Sequence, residues 1–421
     1  MKDVEIIGSS STKNYIGNSR VEKHNGQSFL INRVISRIQK AEKGRIEIKL
    51  PNGTAAVHIG PQAGENVVIH FTTWKSIFQY VVLGELPFVE AYIRGDIIIS
   101  SLSALFHWYV DNESYLSRSK KNNFLLEIVN RFSHLILNDN NKRGSRSNIS
   151  FHYDLGNAFY KAWLDPSMTY SAGIFSENVS LEDAQHFKYA RIVDQLNLTE
   201  GDSVLEIGCG WGGFAEHALE RNDIDYKGIT ISEEQLNYTN ERLGKFAQSE
   251  QLAHFEDYRE TKGSYDKIVS IEMFEAVGEK HWDTYFATLK ERLGSGGTAV
   301  IQVITIDHDR YLKYRNRVDF IQKYIFPGGM LPSKKVFREY AKKAGFEIKN
   351  EYAFGSGYAE TLRRWKDGFV EKWPEIKRQG FDQRFYRMWI YYLDYCIAAF
   401  DRNTIDVMHF TLNHKQEKQH D

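Results

Sequence analysis

Between Val204 and Phe214 the chain reads Val-Leu-Glu-Ile-Gly-Cys-Gly-Trp-Gly-Gly-Phe, and few folds accommodate such a run. A short aliphatic stretch carrying Glu206 meets glycines at 208, 210 and 212, and Phe214-Ala-Glu-His-Ala-Leu219 follows at helical spacing. This predicts a buried strand that enters a tight turn and opens a helix. Glycine permits positive φ and close approach of the backbone to a ligand, and the helix N-terminus faces the same point. Dinucleotide sites share a Gly-x-Gly turn, but they place an acidic residue at the end of the next strand, about 20 residues on. The next strand here runs Lys227-Gly-Ile-Thr-Ile-Ser-Glu-Glu-Gln235 and offers Thr230, Ser232 and Gln235, all neutral hydrogen-bonding groups. The loop indicates a nucleoside-like cofactor that is not a nicotinamide dinucleotide.

At 421 residues the chain predicts two domains. Its formal net charge of -1 gives no global field to recruit nucleic acid. Local basic runs, Arg118-Ser-Lys-Lys121 and Lys142-Arg-Gly-Ser-Arg146, read either as a solvated linker face or as a patch for anionic lipid headgroups. Cys209 and Cys396 are the only cysteines, which excludes a disulfide framework or a cysteine-rich zinc site, and no metal is expected. The sequence lacks an apolar run long enough to span a bilayer, and Met1-Lys-Asp-Val-Glu-Ile-Ile-Gly has no signal-peptide core. A cytoplasmic protein is expected. Aromatic residues make up 14%, more than packing alone usually needs, as expected where a long apolar ligand or a passing positive charge is held.

Residues 1–27 read as a flexible polar leader. A small α+β domain is expected over 28–137, with strands at Arg45–Leu50, Ala55–Ile59 and Asn66–Phe71 and a helix at Trp74–Leu83. A helix at about 124–137 and the polar linker 138–148 lead to a second domain, 149–410, followed by a polar tail at 411–421. In that domain strands at 203–207, 226–230, 267–271 and 298–304 alternate with helices at 213–221 and 233–245. The fold class this gives is α/β, with a doubly wound, mostly parallel sheet and its ligand over the strands' carboxyl ends. Helical sequence at 308–345 would insert a lid or pocket wall, and a second helical run spans Phe369 to Phe400.

Seven segments then match a known family. They are His152-Tyr-Asp-Leu-Gly-Asn-Ala-Phe-Tyr160, Leu164-Asp-Pro-Ser-Met-Thr-Tyr-Ser171, the glycine loop, Gly228–Gln235, Ile268-Val-Ser-Ile-Glu-Met-Phe-Glu275, Ile325-Phe-Pro-Gly-Gly-Met-Leu-Pro-Ser333 and Arg387-Met-Trp-Ile-Tyr-Tyr-Leu393. Together they resemble the cyclopropane-fatty-acyl-phospholipid synthases, and Phe88-Val-Glu-Ala-Tyr-Ile-Arg-Gly-Asp96 resembles that family's smaller N-terminal domain. The resemblance implies a seven-stranded Rossmann-like methyltransferase sheet with a helical lid. It implies S-adenosyl-L-methionine as cofactor, held by Tyr170, Ser171, Gly208, Gly210, Gly212, Thr230, Ser232, Gln235, Ile271 and the loop Asp257-Tyr258-Arg259. Unsaturated phospholipids at the inner face of the membrane and a second copy in a homodimer are the implied partners, and the basic residues Lys120, Lys121, Lys142, Arg143 and Arg146 are candidates for docking.

An isolated double bond has no proton to surrender before it takes a methyl group. The attack creates a carbocation, and a base must then remove a proton from the transferred methyl. The resemblance implies a bound bicarbonate as that base, cradled by Glu275 and Tyr358, with Gln302 at the position of a family histidine. Glu272 is a second acidic candidate, ranked below Glu275. His152 and Asp154 open the lead-in motif and are candidate organisers of the cofactor lid. Glycines on both sides of Tyr358 predict an exposed loop. Phe320, Tyr324, Phe326, Trp389, Tyr391 and Tyr392 are candidates for an acyl-channel wall, with helix core as the alternative. Two departures stand out: Ala172 where the family often has cysteine, and Gln302, whose amide cannot act as imidazole does. Cyclopropanation is the first functional reading. The alternatives are a methyl- or methylene-branched product, methylation of a small metabolite, and a lipid-surface protein without turnover.

Overall fold

A computed structural model describes residues 4–7, 13–14, 27–116, 140, 145, 155–247 and 251–415. The expected helix at 124–137, the basic residues Lys120, Lys121, Lys142, Arg143 and Arg146, and both His152 and Asp154 lie outside them. The chain divides into two compact units. One comprises Met1–Val129 and Gly380–Arg402, the other Asn130–Gln379 and Asn403–Asp421.

The first unit is a mixed sheet with helices. Its elements are β1 (Val4–Ile7), β2 (Lys13–Asn14), α1 (Gln27–Ile38), β3 (Lys43–Lys49), β4 (Ala55–Ile59), β5 (Gln62–Phe71), α2 (Trp74–Leu83), α3 (Glu85–Arg94), β6 (Ile97–Ile99) and α4 (Leu102–Leu116). The strand order is β2-β1-β4-β3-β5-β6. The expected leader therefore contributes a strand, β1, which pairs antiparallel with β4. Helix Gln383–Asp401 also belongs to this unit. It carries an apolar face of its own: Tyr391 meets Phe106 edge-on at 4.8 Å and Tyr92 at 5.9 Å, while Trp389 packs on Phe385 and Tyr392. Trp389, Tyr391 and Tyr392 thus take the alternative reading, helix core. His107 on Asp401 and Arg402 on Asp111 tie the same helix to α4.

The second unit holds α5 (Asn157–Lys161), α6 (Leu181–Leu196), β7 (Ser203–Ile207), α7 (Gly213–Leu219), β8 (Asp225–Thr230), α8 (Glu233–Leu243), β9 (Ala253–Phe255), β10 (Tyr265–Ile271), α9 (Trp282–Arg292) and β11 (Leu293–Ile306). It continues with α10 (His308–Tyr314), α11 (Phe320–Tyr324), α12 (Lys334–Lys343), β12 (Phe346–Ala353), α13 (Gly355–Glu371), α14 (Trp373–Arg378) and β13 (Ile405–His414). The sheet order is β12-β13-β11-β10-β7-β8-β9. Strands β9, β8, β7, β10 and β11 run parallel, and β13 is antiparallel to both neighbours. This is the expected seven-stranded, mostly parallel sheet.

Helices cover both faces, so the central strands are apolar on both sides. Successive residues feed opposite cores: Leu205, Ile268 and Ile301 pack on one face, and Val204, Val269 and Val300 on the other. The strand order reverses between β7 and β10, the crevice where such sheets bind ligands. The polar tail expected from 411 begins inside β13. Leu412 is buried there, and Asn413 donates to the Gly297 carbonyl and the Thr298 hydroxyl. Polar residues on alternate positions had disguised the strand.

The Asn112 side chain is fully committed to hydrogen bonds. Its carbonyl accepts from the amides of Glu42 and Lys43, and its NH2 donates to the carbonyls of Lys43 and Trp108. Asn112→Ala leaves these buried groups unmet and is expected to cost about 2–4 kcal/mol. Denaturant unfolding, with amide exchange at Glu42 and Lys43, measures it. A change within about 0.5 kcal/mol, as at an ordinary surface site, would contradict the assignment.

Candidate active site

The glycine turn leaves β7 with Gly208, Gly210 and Gly212 all at positive φ (83°, 55° and 78°). A Cβ at Gly208 would lie 2.9 Å from the Met273 side chain, and one at Gly212 2.9 Å from Thr239, so neighbours close two of the three positions to any other residue. Thr239 also donates to the Gly210 carbonyl. At the end of β8, Ser232 caps α8 by accepting from the Gln235 amide, and the Thr230 hydroxyl donates to the Gln235 side chain. Thr230, Ser232 and Gln235 are buried together. Ile271 ends β10, with Gln302 opposite on β11.

Asp257 and Arg259 form a two-point ion pair at 2.8 and 2.6 Å. Arg259 also reaches the Asn140 carbonyl and the Ser145 hydroxyl, so it fastens the incoming chain. Tyr258 lies edge-on to Tyr285 against the core, and burial pushes its hydroxyl up to about 12.

Tyr170 stacks on Trp365 at 4.9 Å with Tyr160 and Trp163 around it. The Ser171 hydroxyl accepts from Lys188 at 2.6 Å and its carbonyl from Gln185 at 2.8 Å. Lys188 is wholly buried, and desolvation lowers it to about 7 against the pull of Glu272, Asp165 and Glu206.

The densest polar cluster centres on Glu272. Its Oε1 accepts from the Ala172 amide at 2.9 Å and the Gln302 amide at 2.7 Å, and its Oε2 accepts from the Tyr358 hydroxyl at 2.7 Å. The Gln302 carbonyl oxygen in turn meets Nε2 of His409 at 2.8 Å. Burial lowers His409 to about 3, so the ring is neutral with its proton on Nε2. Burial pushes Glu272 up, opposed by its three donors and by Lys188. Glu275 differs. One oxygen accepts from the Ile304 amide, and the other has no hydrogen-bond partner among the described residues. Desolvation and the charge of Glu272 push it up to about 8. Its carbonyl accepts from Met330, which ties it to the turn between α11 and α12.

Tyr358 corrects one expectation. It is buried in the first turn of α13, not exposed in a loop. The flanking glycines serve close packing: a Cβ at Gly355 would lie 2.6 Å from Asp406, and one at Gly357 2.6 Å from the Gly173 carbonyl. Phe320 is buried in α11, with Tyr324 beside it at 5.5 Å. Sequence reasoning passed over Gln185, Lys188 and His409 and ranked Glu272 low. Gln185 and Lys188 share one face of α6 at i, i+3, which was a legible signal. His409 meets Gln302 only through the antiparallel register of β13 on β11.

These residues fit an S-adenosylmethionine-type ligand. The glycine turn provides close approach at the reversal of the sheet, and the strand after it offers neutral donors and acceptors. The Glu272 carboxylate, met by three donors, suits a sulfonium cation and opposes a pyrophosphate. Bicarbonate fits poorly, because two of the groups expected to cradle it, Tyr358 and Gln302, already donate to Glu272.

A model of the family described as mycolic acid cyclopropane synthetase matches residues 140–410. The chain belongs to this family. It is 37% identical over 284 residues to tuberculostearic acid methyltransferase UfaA1 of Mycobacterium tuberculosis, covering 65% of this chain and 66% of that one. It is 38% identical over 257 residues to the cyclopropane-fatty-acyl-phospholipid synthase of Escherichia coli K12, covering 61% and 65%. The chain thus spans just under two thirds of the length of these curated relatives. Among solved structures, the mycolic acid cyclopropane synthase CmaA1 complexed with SAH and CTAB superposes with a TM-score of 0.58 at 29% identity, over 63% of this chain and 97% of that one. The resemblance drawn from the motifs is borne out.

Glu206, at the end of β7, is buried, and desolvation pushes it from 4.5 to about 8 against a hydrogen bond from Tyr226 and the charge of Lys188. The native state therefore keeps this proton where the unfolded chain releases it. Stability falls as pH rises from about 4.5 to about 8, by up to about 1.4 kcal/mol per pH unit from this group. Glu206→Gln holds the neutral form and should remove that slope. Identical slopes for the two proteins in urea unfolding across this range would show Glu206 to be ionised when folded.

Proposed function

We propose that this protein methylates cis double bonds in phospholipid acyl chains with S-adenosylmethionine, giving cyclopropane chains. The observation that carries the reading is a glycine turn and a buried cluster of carboxylate, tyrosine and amide side by side at the carboxyl ends of β7, β10 and β11. Family membership, and relatives named for an acid methyltransferase and a cyclopropane-fatty-acyl-phospholipid synthase, support acyl chains as the substrate class. A complex of CmaA1 with SAH supports the cofactor.

The cofactor supplies an electrophilic methyl group. Tyr170, Ser171, Gly208, Gly210, Gly212, Thr230, Ser232, Gln235, Ile271 and the Asp257–Arg259 loop hold it in this reading. An alkene takes that methyl only when held in line with it, and the cation left on the chain needs carboxylate and aromatic faces while water is kept away. Glu272 supplies the charge, and Tyr170, Trp365 and Tyr358 the rings. The Tyr358 ring lies at right angles to Trp365, 6.0 Å away.

Two observations favour a second product. Gln302 stands where the family resemblance implies a histidine, and Ala172 gives only its backbone amide to the cluster. If proton removal slows, the hydrogen on the methyl-bearing carbon shifts to the cation first, and loss of a proton then gives a methylene branch. The lipid substrate requires docking at the inner face of the membrane, and this reading has a homodimer and the basic linker assist it. No helix among the described residues is long and apolar enough to cross a bilayer.

The test incubates the purified protein with S-adenosylmethionine and vesicles of cis-monounsaturated phospholipid, followed by acyl-chain mass spectrometry and proton NMR. A one-carbon gain with upfield ring protons is expected. The same gain with methylene or methyl signals selects the branched product. No gain across a panel of unsaturated lipids removes the proposal.

A further inference from the structure

We propose that the carboxylate of Glu272 occupies the anion seat of this active site and is its proton acceptor, so that no external bicarbonate is bound or required. The inference deepens the methyl-transfer reading and rests on it.

Three donors from three distant segments converge on this one side chain: the Ala172 amide after Tyr170, the Gln302 side chain on β11 and the Tyr358 hydroxyl on α13. A backbone N–H and an amide NH2 cannot accept, so the partners of Oε1 are donors only. A pocket of donors is a seat for an anion, and here the anion is covalently attached. The orientation of Gln302 is not free either. The Nε2 proton of His409 holds its carbonyl oxygen, which turns the NH2 toward Glu272. An imidazole therefore remains in the network one step further out and fixes the donor in place.

The backbone supports the assignment. Glu272 has φ 51°, a left-handed conformation at the end of a strand. A side chain there costs about 1–2 kcal/mol, and such strain persists where the surroundings over-determine it. The Glu272 amide donates to the Gln302 carbonyl at 2.9 Å, so main chain and side chain are both locked to β11. Glu275 is the weaker candidate for a base. It has one amide donor and one unpartnered oxygen, which leaves its charged form poorly supported.

After methyl transfer the acyl chain carries a cation beside the new C–CH3 bond. An oxygen of Glu272 takes one proton from that methyl group. The C–H electron pair forms the bond that closes the ring or, after the hydrogen shift, the exocyclic double bond. The lipid leaves neutral, and protonated Glu272 returns its proton to water after product release.

Glu272→Gly and Glu272→Gln test this in the full-length protein. Glycine suits the positive φ and empties the seat, so the variant is expected to fold; glutamine keeps the size without the charge. The first readout is binding of 13C-bicarbonate to the cofactor-free protein by NMR titration. No saturable binding is expected in the parent, and saturable binding in Glu272→Gly. The second is turnover in CO2-depleted buffer with and without added bicarbonate. The parent should be indifferent, both variants should lose about 100-fold or more, and bicarbonate should restore Glu272→Gly. Saturable bicarbonate binding by the parent, loss of its turnover on depletion, or unimpaired product formation by Glu272→Gln overturns the proposal. If the parent methylates no lipid, the functional reading fails, and the binding titration alone still decides whether Glu272 fills the seat.

Discussion

A carboxylate removed from water must be met by donors, and at the end of β10 that requirement draws the second unit together. Ala172, Gln302 and Tyr358 come from a loop, a strand and a helix, and each spends a hydrogen-bond donor on Glu272. Much of the surrounding architecture secures those donors. The antiparallel register of β13 places His409 behind Gln302. Glycines 355 and 357 let α13 begin hard against Asp406 and Gly173, which brings Tyr358 into reach. Breaking one partner of such a buried network costs more than the bond itself, because the group left behind remains desolvated.

The same low-polarity setting governs the other charges. Glu206 and Glu275 are both pushed up to about 8 by burial, and Lys188 is lowered to about 7. Groups that would be fully charged in water here sit close to neutrality, ready to respond to a positive ligand. The Ser171 hydroxyl and Gln185 hold the lysine, so the helix α6 is part of the site although it contributes no motif.

Much of the architecture was legible along the chain because it depends on local pattern. The run at 203–207 is buried on both faces, as a central parallel strand must be, and its bounds match those expected from the sequence. The Ser232 cap on α8 is likewise local, settled within three residues. The site was less legible. Tyr358 between glycines resembles a loop until the backbones that crowd those glycines are known. Trp389, Tyr391 and Tyr392 are apolar enough for a ligand channel, yet they pack within the first unit, since periodicity identifies a buried face and not what buries it. The strand inside the expected tail was hidden by Thr411 and Asn413, whose polar groups find partners on helix α6 and on β11.

By itself the sequence determined the α/β class, the glycine turn and its cofactor type, and the family to which the chain belongs. These follow from short-range spacing, which the backbone's few allowed conformations translate directly into strands, turns and helices. Which acid lies at the centre of the site was decided only by tertiary structure. Glu272 and Glu275 stand three residues apart in the same motif, and nothing local distinguishes them. Partners 100, 30 and 86 residues away distinguish them, because hydrogen-bond donors converge on Glu272 and leave one oxygen of Glu275 without a partner among the described residues.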